Sequence, residues 1–178
     1  MKGPGIDESL AFVPCSIAVL TVSDTRDDET DHSGRILAER ARDAGHLVLA
    51  KLILPDDRDL IEQQLRAWVA NPGIDVILAT GGTGITGRDV TPEAFFAVYE
   101  KEMAGFGEVF RAISMRSIGL ATIQSRATAG VAGGTLMFAI PGSTGACKDA
   151  WDEILKFQLD SRYRPCNLVE MLPRLKER

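Results

Sequence analysis

The sequence predicts an α/β fold of three layers, a mainly parallel sheet with helices on both faces. Three observations carry this. Short apolar runs alternate with helical segments in strand–helix–strand order, the grammar of βαβ units. Those runs are apolar throughout, as expected of strands covered on both faces. Glycines and prolines punctuate the chain between the segments, and no internal repeat or low-complexity stretch interrupts the pattern. The whole chain, residues 1–178, reads as a single domain, because 178 residues match one domain's worth of core. A chain of that size buries roughly 70% of its unfolded surface and needs no disulfide or metal staple.

Ser16–Val22 (SIAVLTV) is rich in β-branched residues and predicts a buried strand. Asp24 to Ser33 is polar and reads as a loop. Asp31 or Ser33 can cap a helix that runs to Ala44, with Ile36, Leu37, Ala41 and Ala44 on its apolar face and Gly45 just past its end. His46–Leu54 predicts a second strand, broken by Pro55 and Asp56. Either Asp56 or Asp57 can cap the next helix, whose Ile61, Leu65, Trp68 and Val69 share one face. Asn71-Pro72-Gly73 stops it, and Val76–Thr80 (VILAT) is a third buried strand.

The second half is less regular. Thr91-Pro92-Glu93 places a capping threonine before a proline in the first turn of a helix expected to reach Met103. Gly105 and Gly107 should interrupt, with a short helix from Glu108 to Met115. Residues 122–131 read as a loop plus a strand. Thr135–Ile140 (TLMFAI) is a clear strand, and Pro141-Gly142 turns the chain into a helix from Ser143 to Leu159 whose inner stripe is Cys147, Ala150, Trp151 and Ile154. The tail from Asp160 onwards carries too little pattern for assignment.

Composition excludes several function classes. Hydrophobic residues make up 45%, enough to offset chain entropy and rule out disorder. Twenty basic residues face 25 acidic ones, net −5, the wrong sign for a general nucleic-acid binder. No apolar run reaches the roughly 18 residues of a membrane span, and the start, carrying Asp7 and Glu8, does not read as a signal peptide. Three cysteines without a C-x-x-C pair and two histidines argue against a zinc or redox site. The expectation is a reduced, cytoplasmic protein.

The strongest local signal is Thr80-Gly81-Gly82-Thr83-Gly84, directly after a buried strand. Ligands of open parallel sheets bind beyond the carboxyl ends of the strands, and glycines let backbone N–H groups approach an anion. This loop is a candidate phosphate cradle; the plain alternative is a tight turn. Gly82 to Gly87 also matches G-x-G-x-x-G, but the helix signal at Thr91 comes after the last glycine, and Glu100 and Glu102 lie in helical pattern where a strand end is required. A dinucleotide-dependent oxidoreductase is thereby demoted. The Walker A loop fails because Gly-Lys-Ser/Thr is absent.

Asp89, between the glycine loop and a helix start, is a candidate magnesium ligand, since magnesium bridges one or two carboxylates to substrate phosphates. It is otherwise a loop residue bonding its own backbone. Arg88 is a candidate phosphate or carboxylate partner. Asp56 follows the second strand and supplies a second carboxylate, or simply a helix cap. Pro141-Gly142-Ser143 offers a helix N-terminus to an anion, with Ser143 either capping or binding. Ser23 and Asp24 follow the first strand. With no Ser-His-Asp or Cys-His arrangement, phosphate chemistry by positioning and charge neutralisation fits better than a protein nucleophile. Lys148 is a weaker candidate for positive charge near a bound anion, since a solvated helix face accounts for it equally well.

The run from Thr80 to Gly84, Arg88-Asp89-Val90-Thr91-Pro92-Glu93, Gly105-Phe106-Gly107-Glu108 and Pro141-Gly142-Ser143 resembles the molybdenum cofactor biosynthesis proteins of the MoaB/MogA family, over residues 13–172. It is most similar to the MoaB branch through Gln124-Ser125-Arg126-Ala127, Gly130-Val131-Ala132, Pro141-Gly142-Ser143-Thr144 and the tail 160–167. The resemblance implies the three-layer molybdopterin-binding fold, homotrimers or homohexamers, and association with other proteins of that pathway. It implies magnesium-dependent adenylylation of molybdopterin by ATP, with release of pyrophosphate. Asp89 maps onto the aspartate essential in active members and Asp56 onto a second aspartate. Gly81 to Gly84 and Pro141 to Ser143 map onto the lining of the site. Some MoaB-branch members lack the Arg-Asp-Val-Thr-Pro sequence and do not perform this step; here it is intact. The alternative from another class is a protein that binds or carries molybdopterin or a nucleotide without turning it over.

Overall fold

The computed structural model describes residues 3–177. The N-terminal and tail readings therefore touch Met1, Lys2 and Arg178, which lie outside the described residues. In chain order the elements are β1 (Gly5–Ile6), β2 (Ser16–Val22), α1 (His32–Asp43), β3 (Leu47–Leu54), α2 (Arg58–Val69), β4 (Val76–Thr80), α3 (Thr91–Val98), β5 (Lys101–Glu102), α4 (Ala104–Ile118), β6 (Thr128–Ala132), β7 (Thr135–Ile140), α5 (Thr144–Ala150), α6 (Lys156–Gln158) and β8 (Tyr163–Arg164).

The main sheet has the strand order β3-β2-β4-β7-β6-β5 among the described residues. β3, β2, β4 and β7 run parallel, and β6 and β5 complete the sheet antiparallel. Alternation along the central strands feeds two cores. Ile17, Val19, Val76, Leu78, Leu136 and Phe138 face α1, α4 and α5. Ala18, Leu20, Ile77, Ala79 and Met137 face α2 and α3. Helices thus cover both faces, the expected three-layer arrangement. Each fully buried Leu or Ile contributes about 1.5–3 kcal/mol relative to exposure, so the central strands anchor the fold. No helix among the described residues is long and apolar enough to cross a membrane.

Thr21 pairs with Thr80, Thr80 with Ile140, and Val22 with Leu54. The parallel strands therefore end level along one edge of the sheet, and the segments that follow them emerge side by side.

The structure decides the two open capping alternatives and corrects several other sequence expectations. Asp31, not Ser33, caps α1 and accepts the Gly34 N–H. Ala44 is exposed, and Ala38 takes its place in the core. Asp57, not Asp56, caps α2, which leaves the Asp56 side chain free of the helix. Thr91 is the first residue of α3 and makes no capping bond. α3 ends at Val98 rather than Met103. Tyr99 turns extended, its ring packs on Phe95 and Phe96, and a side chain at Gly130 would collide with it. The chain then pairs as β5. Gly105 and Gly107 do not interrupt a helix but lie within α4, where a Cβ at Gly107 would come within 2.5 Å of the Ala127 carbonyl oxygen. The helix after Ser143 contains a π turn at Trp151–Leu155. The extra residue per turn moves the inner stripe from Ile154 to Leu155. The tail, unassigned from sequence, pairs β8 with β1 and docks Val169 on the core.

Candidate functional site

Ser23 and Asp24 follow β2, Asp56 follows β3, Gly81 to Gly84 follow β4, and Pro141 to Ser143 follow β7. The level strand ends bring all of them to one edge. Gly81 and Gly82 adopt φ of +105° and +62°, a region that L side chains rarely enter. A Cβ at Gly81 would also strike the Val22 carbonyl. The turn is fixed by the Gly81 N–H, which donates to the Ile140 carbonyl at 3.0 Å. Among the described residues no acceptor takes up the N–H of Gly82 or Thr83.

A cavity of about 320 Å³ opens here, lined by Ser23, Asp56, Gly81, Gly82, Arg88 and Asp89 among others. A second, of about 370 Å³, lies across the glycine loop against Thr83, Gly84, Phe110, Ile118, Ser125 and Ser143. Gly82, Asp89 and Gly142 line both. Two ligands seated in them would meet at the loop.

The first cavity carries both signs of charge, Arg26 and Arg88 against Asp56 and Asp89. Arg88 chelates Asp24 through Nε at 3.0 Å and Nη2 at 2.6 Å. That hydrogen bond, with one from the Asp56 N–H, holds the Asp24 carboxyl below its usual range. Burial, then the charges of Asp24 and Asp89, push the Asp56 carboxyl up. Burial also acts upward on Asp89, but hydrogen bonds from the Thr86 hydroxyl at 2.6 Å and the Thr86 N–H at 2.8 Å outweigh it. Asp89 is therefore a held, ionised carboxylate, and Asp56 is a carboxylate facing like charge with no salt bridge among the described residues.

A cation suits this arrangement. A Cβ at Gly82 would lie 2.7 Å from Asp56 Oδ1 and beside Thr91 Oγ1, which is fully buried and has no partner. Asp56 and Asp89, which line one cavity, and the Thr91 hydroxyl are hard oxygen groups of the kind that could hold magnesium with water and substrate oxygens in its remaining positions. No cluster of three or more His, Cys, Asp or Glu placed for a metal occurs among the described residues, so any ion there would depend on substrate for further ligands.

Other candidates play different parts. The Thr80 hydroxyl donates to the Pro141 carbonyl at 3.0 Å and ties two strand ends together. Ser143 caps α5, accepting the Ala146 N–H at 3.1 Å. Cys147 is core, its thiol pushed up to about 11 by burial. Lys148 is exposed and lines neither cavity. The G-x-G-x-x-G match is followed by α3 only at Thr91, so the glycines do not open a helix as dinucleotide binding requires.

Sequence reasoning missed three supports. Asp31, read only as a cap, is wholly buried under Thr21 and accepts from the Thr21 hydroxyl at 3.0 Å and from Lys51 at 2.6 Å. Ser33 Oγ donates to the Gly142 carbonyl at 2.8 Å, joining α1 to the turn after β7. Arg126 was noticed only as part of a family-like stretch. It donates through Nε to the Gly84 carbonyl at 2.6 Å, through Nη2 to the Asp89 carbonyl at 2.8 Å, and pairs with Glu93. A lone arginine in irregular pattern gave no signal of that role.

Comparison with known proteins agrees with this architecture. Residues 18–161 match a family model described as a probable molybdopterin binding domain. The chain is 51% identical over 159 residues to molybdenum cofactor biosynthesis protein B of Escherichia coli K12, covering 89% of this chain and 94% of that protein. It superposes on a crystal structure of a molybdenum cofactor biosynthesis protein B with a TM-score of 0.81 and 42% identity, over 84% of this chain and 94% of the other. The tungsten cofactor synthesizing protein MoaB from Pyrococcus furiosus gives 0.75 and 34% over 92% and 98%.

Proposed function

The chain belongs to the molybdopterin-binding domain family, within its molybdenum cofactor biosynthesis protein B branch, and on that footing we propose that it adenylylates molybdopterin with ATP. A terminal phosphate oxygen of the pterin attacks the α-phosphorus of ATP. A P–O bond forms, the bond to the β-phosphate oxygen breaks, and pyrophosphate leaves with the electron pair. The observation that carries this reading is the pair of cavities sharing Gly82, Asp89 and Gly142, a layout for two ligands whose phosphates meet.

The residues act by binding and orientation. The N–H groups of Gly82 and Thr83 would donate to phosphoryl oxygens, without a Cβ in the way at Gly82. Preorganised donors of this kind stabilise charge as it develops in the transition state. Thr86 holds the Asp89 carboxylate in one orientation, and Asp24 holds Arg88 at the cavity mouth. Asp56 and Asp89 would hold magnesium, which supplies neutralisation of the phosphates when bound. The apolar wall of the second cavity, Phe110 and Ile118, suits a flat ring system.

A carrier that binds without turnover draws on one observation: Asp24 already engages Arg88, removing a cation from the phosphates. Pyrophosphate release from ATP, magnesium and molybdopterin separates the two readings. Adenylylation predicts stoichiometric release that depends on the pterin. Tight pterin binding with no release would establish the carrier instead.

A further inference from the structure

Arg126 lies outside the strand tips and outside the Arg88–Pro92 stretch, yet the loop carrying Asp89 closes around it. Its backbone N–H donates to the Thr83 carbonyl at 3.0 Å, and its guanidinium reaches Gly84 O, Asp89 O and the Glu93 carboxylate together. Both ends of the 84–89 loop and the first turn of α3 thus converge on one planar group. The segment bearing Arg126 is itself held: Arg111 of α4 donates to the Ser125 and Ala127 carbonyls at 3.5 and 3.3 Å. The close approach of α4 depends on Gly107, beside the Ala127 carbonyl. Gln124 and Ser125 on the same segment line the second cavity.

We infer that Arg126 is a positioning residue for the reaction proposed above: it clamps the loop from Gly84 to Asp89 so that the Asp89 side chain stays at the junction of the two cavities. The inference rests on that reaction for its purpose but not for its geometry. Within the loop, Thr86 fixes the Asp89 carboxylate locally. Arg88 ties the loop to Asp24 beyond β2 by an exposed side-chain pair, whereas Arg126 holds the backbone itself by taking the carbonyls at its two ends. A guanidinium presents donors in a rigid fork, whereas a lysine ammonium is a single point charge on a flexible stem. Lysine keeps the charge opposite Glu93 but cannot span both carbonyls as well.

The test compares the wild type with Arg126→Lys and Arg126→Met by amide hydrogen exchange of the ligand-free chain and by pyrophosphate release with ATP, magnesium and molybdopterin. Exchange at the Thr86 and Asp89 amides should rise about ten-fold or more in both variants, with β4 protection retained. Turnover should fall about 10–100-fold while KM for ATP moves by less than about three-fold, as for loss of alignment rather than of binding. Should Arg126→Met lose protection in β4 as well, it has unfolded, and Arg126→Lys decides. Unchanged exchange at Thr86 and Asp89 in Arg126→Lys, or rescue of turnover by lysine, would overturn the clamp. A wild type that releases no pyrophosphate would remove the proposed reaction, and the exchange data would still decide the clamp.

Discussion

The two carboxylates of the candidate site come from regions built on different terms. Asp56 stands two residues past β3, in the parallel half of the sheet, where backbone register places it and helices on both faces bury the strands beside it. Asp89 sits on the long loop between β4 and α3, held by side chains: Thr86 within the turn and Arg126 from a distant segment. The sheet therefore fixes one acid through the global fold, and a local hydrogen-bond set fixes the other. It follows that the parallel half should fail by unfolding, and the loop should fail by losing function while the fold survives.

The largest effect expected is at Asp89. Asp89→Asn keeps the side-chain shape and one acceptor for Thr86, but removes the charge at the junction of the cavities. Pyrophosphate release should fall at least about 1,000-fold, roughly 4 kcal/mol at 1.36 kcal/mol per tenfold, with the thermal midpoint little changed. Near-normal turnover would remove Asp89 from the chemistry.

The converse test is Lys51→Met. It leaves Asp31, wholly buried, without its cation. Breaking such a pair costs about 3 kcal/mol, because the remaining carboxylate keeps only the Thr21 hydroxyl and the Gly34 N–H. For a chain of this size that is a fall of about 6–12 °C in thermal midpoint. Turnover per folded molecule at low temperature should stay within a few-fold. A site that dies before the fold weakens would contradict the division between the two regions.

That division also explains what could be read from residues alone. In the parallel half, strands buried on both faces and helices with a 3.6-residue stripe carry their structure in local pattern. Ser16–Val22 and Val76–Thr80 match their predicted bounds, and the candidate phosphate loop follows from its place after β4. In the second half, placement is decided by contacts between residues far apart in sequence. α3 stops where the Tyr99 ring meets Gly130, and α4 runs through two glycines, one of which meets Ala127. None of these partners lies within a helical turn of the other. The site residues at strand tips were legible because topology alone gathers them. The clamp on Asp89 was not, since an arginine near position 126 says nothing of a carbonyl near position 84.

A smaller effect probes the loop without touching either acid. A Cβ at Gly84 would approach Asp89 Oδ2 to 2.8 Å. Gly84→Ala should displace the carboxylate and lower turnover about ten-fold, while stability changes by less than about 1 kcal/mol because the loop lies at the surface. An equal loss in both quantities would mean that the loop is coupled to the core more tightly than its side-chain clamp implies.

The smallest effect concerns Asp56 and has the opposite sign for stability. Burial and the charges of Asp24 and Asp89 raise its carboxyl in the folded chain. The protonated form is therefore favoured by folding. Its contribution is fully present below the unfolded carboxyl's pKa and is lost as pH rises through the folded value. Asp56→Asn imitates the neutral form at every pH. With EDTA present, variant and wild type should unfold together in acid, and near neutral pH the variant should unfold about 1–3 °C higher, a modest gap because solvent screens the site. Magnesium should then raise the wild-type midpoint and close the gap, since an ion that binds only the folded site stabilises it by mass action. It should leave Asp56→Asn nearly unmoved. A variant less stable than wild type at neutral pH would show that Asp56 is held for the fold, like Asp31, rather than kept under repulsion for a cation.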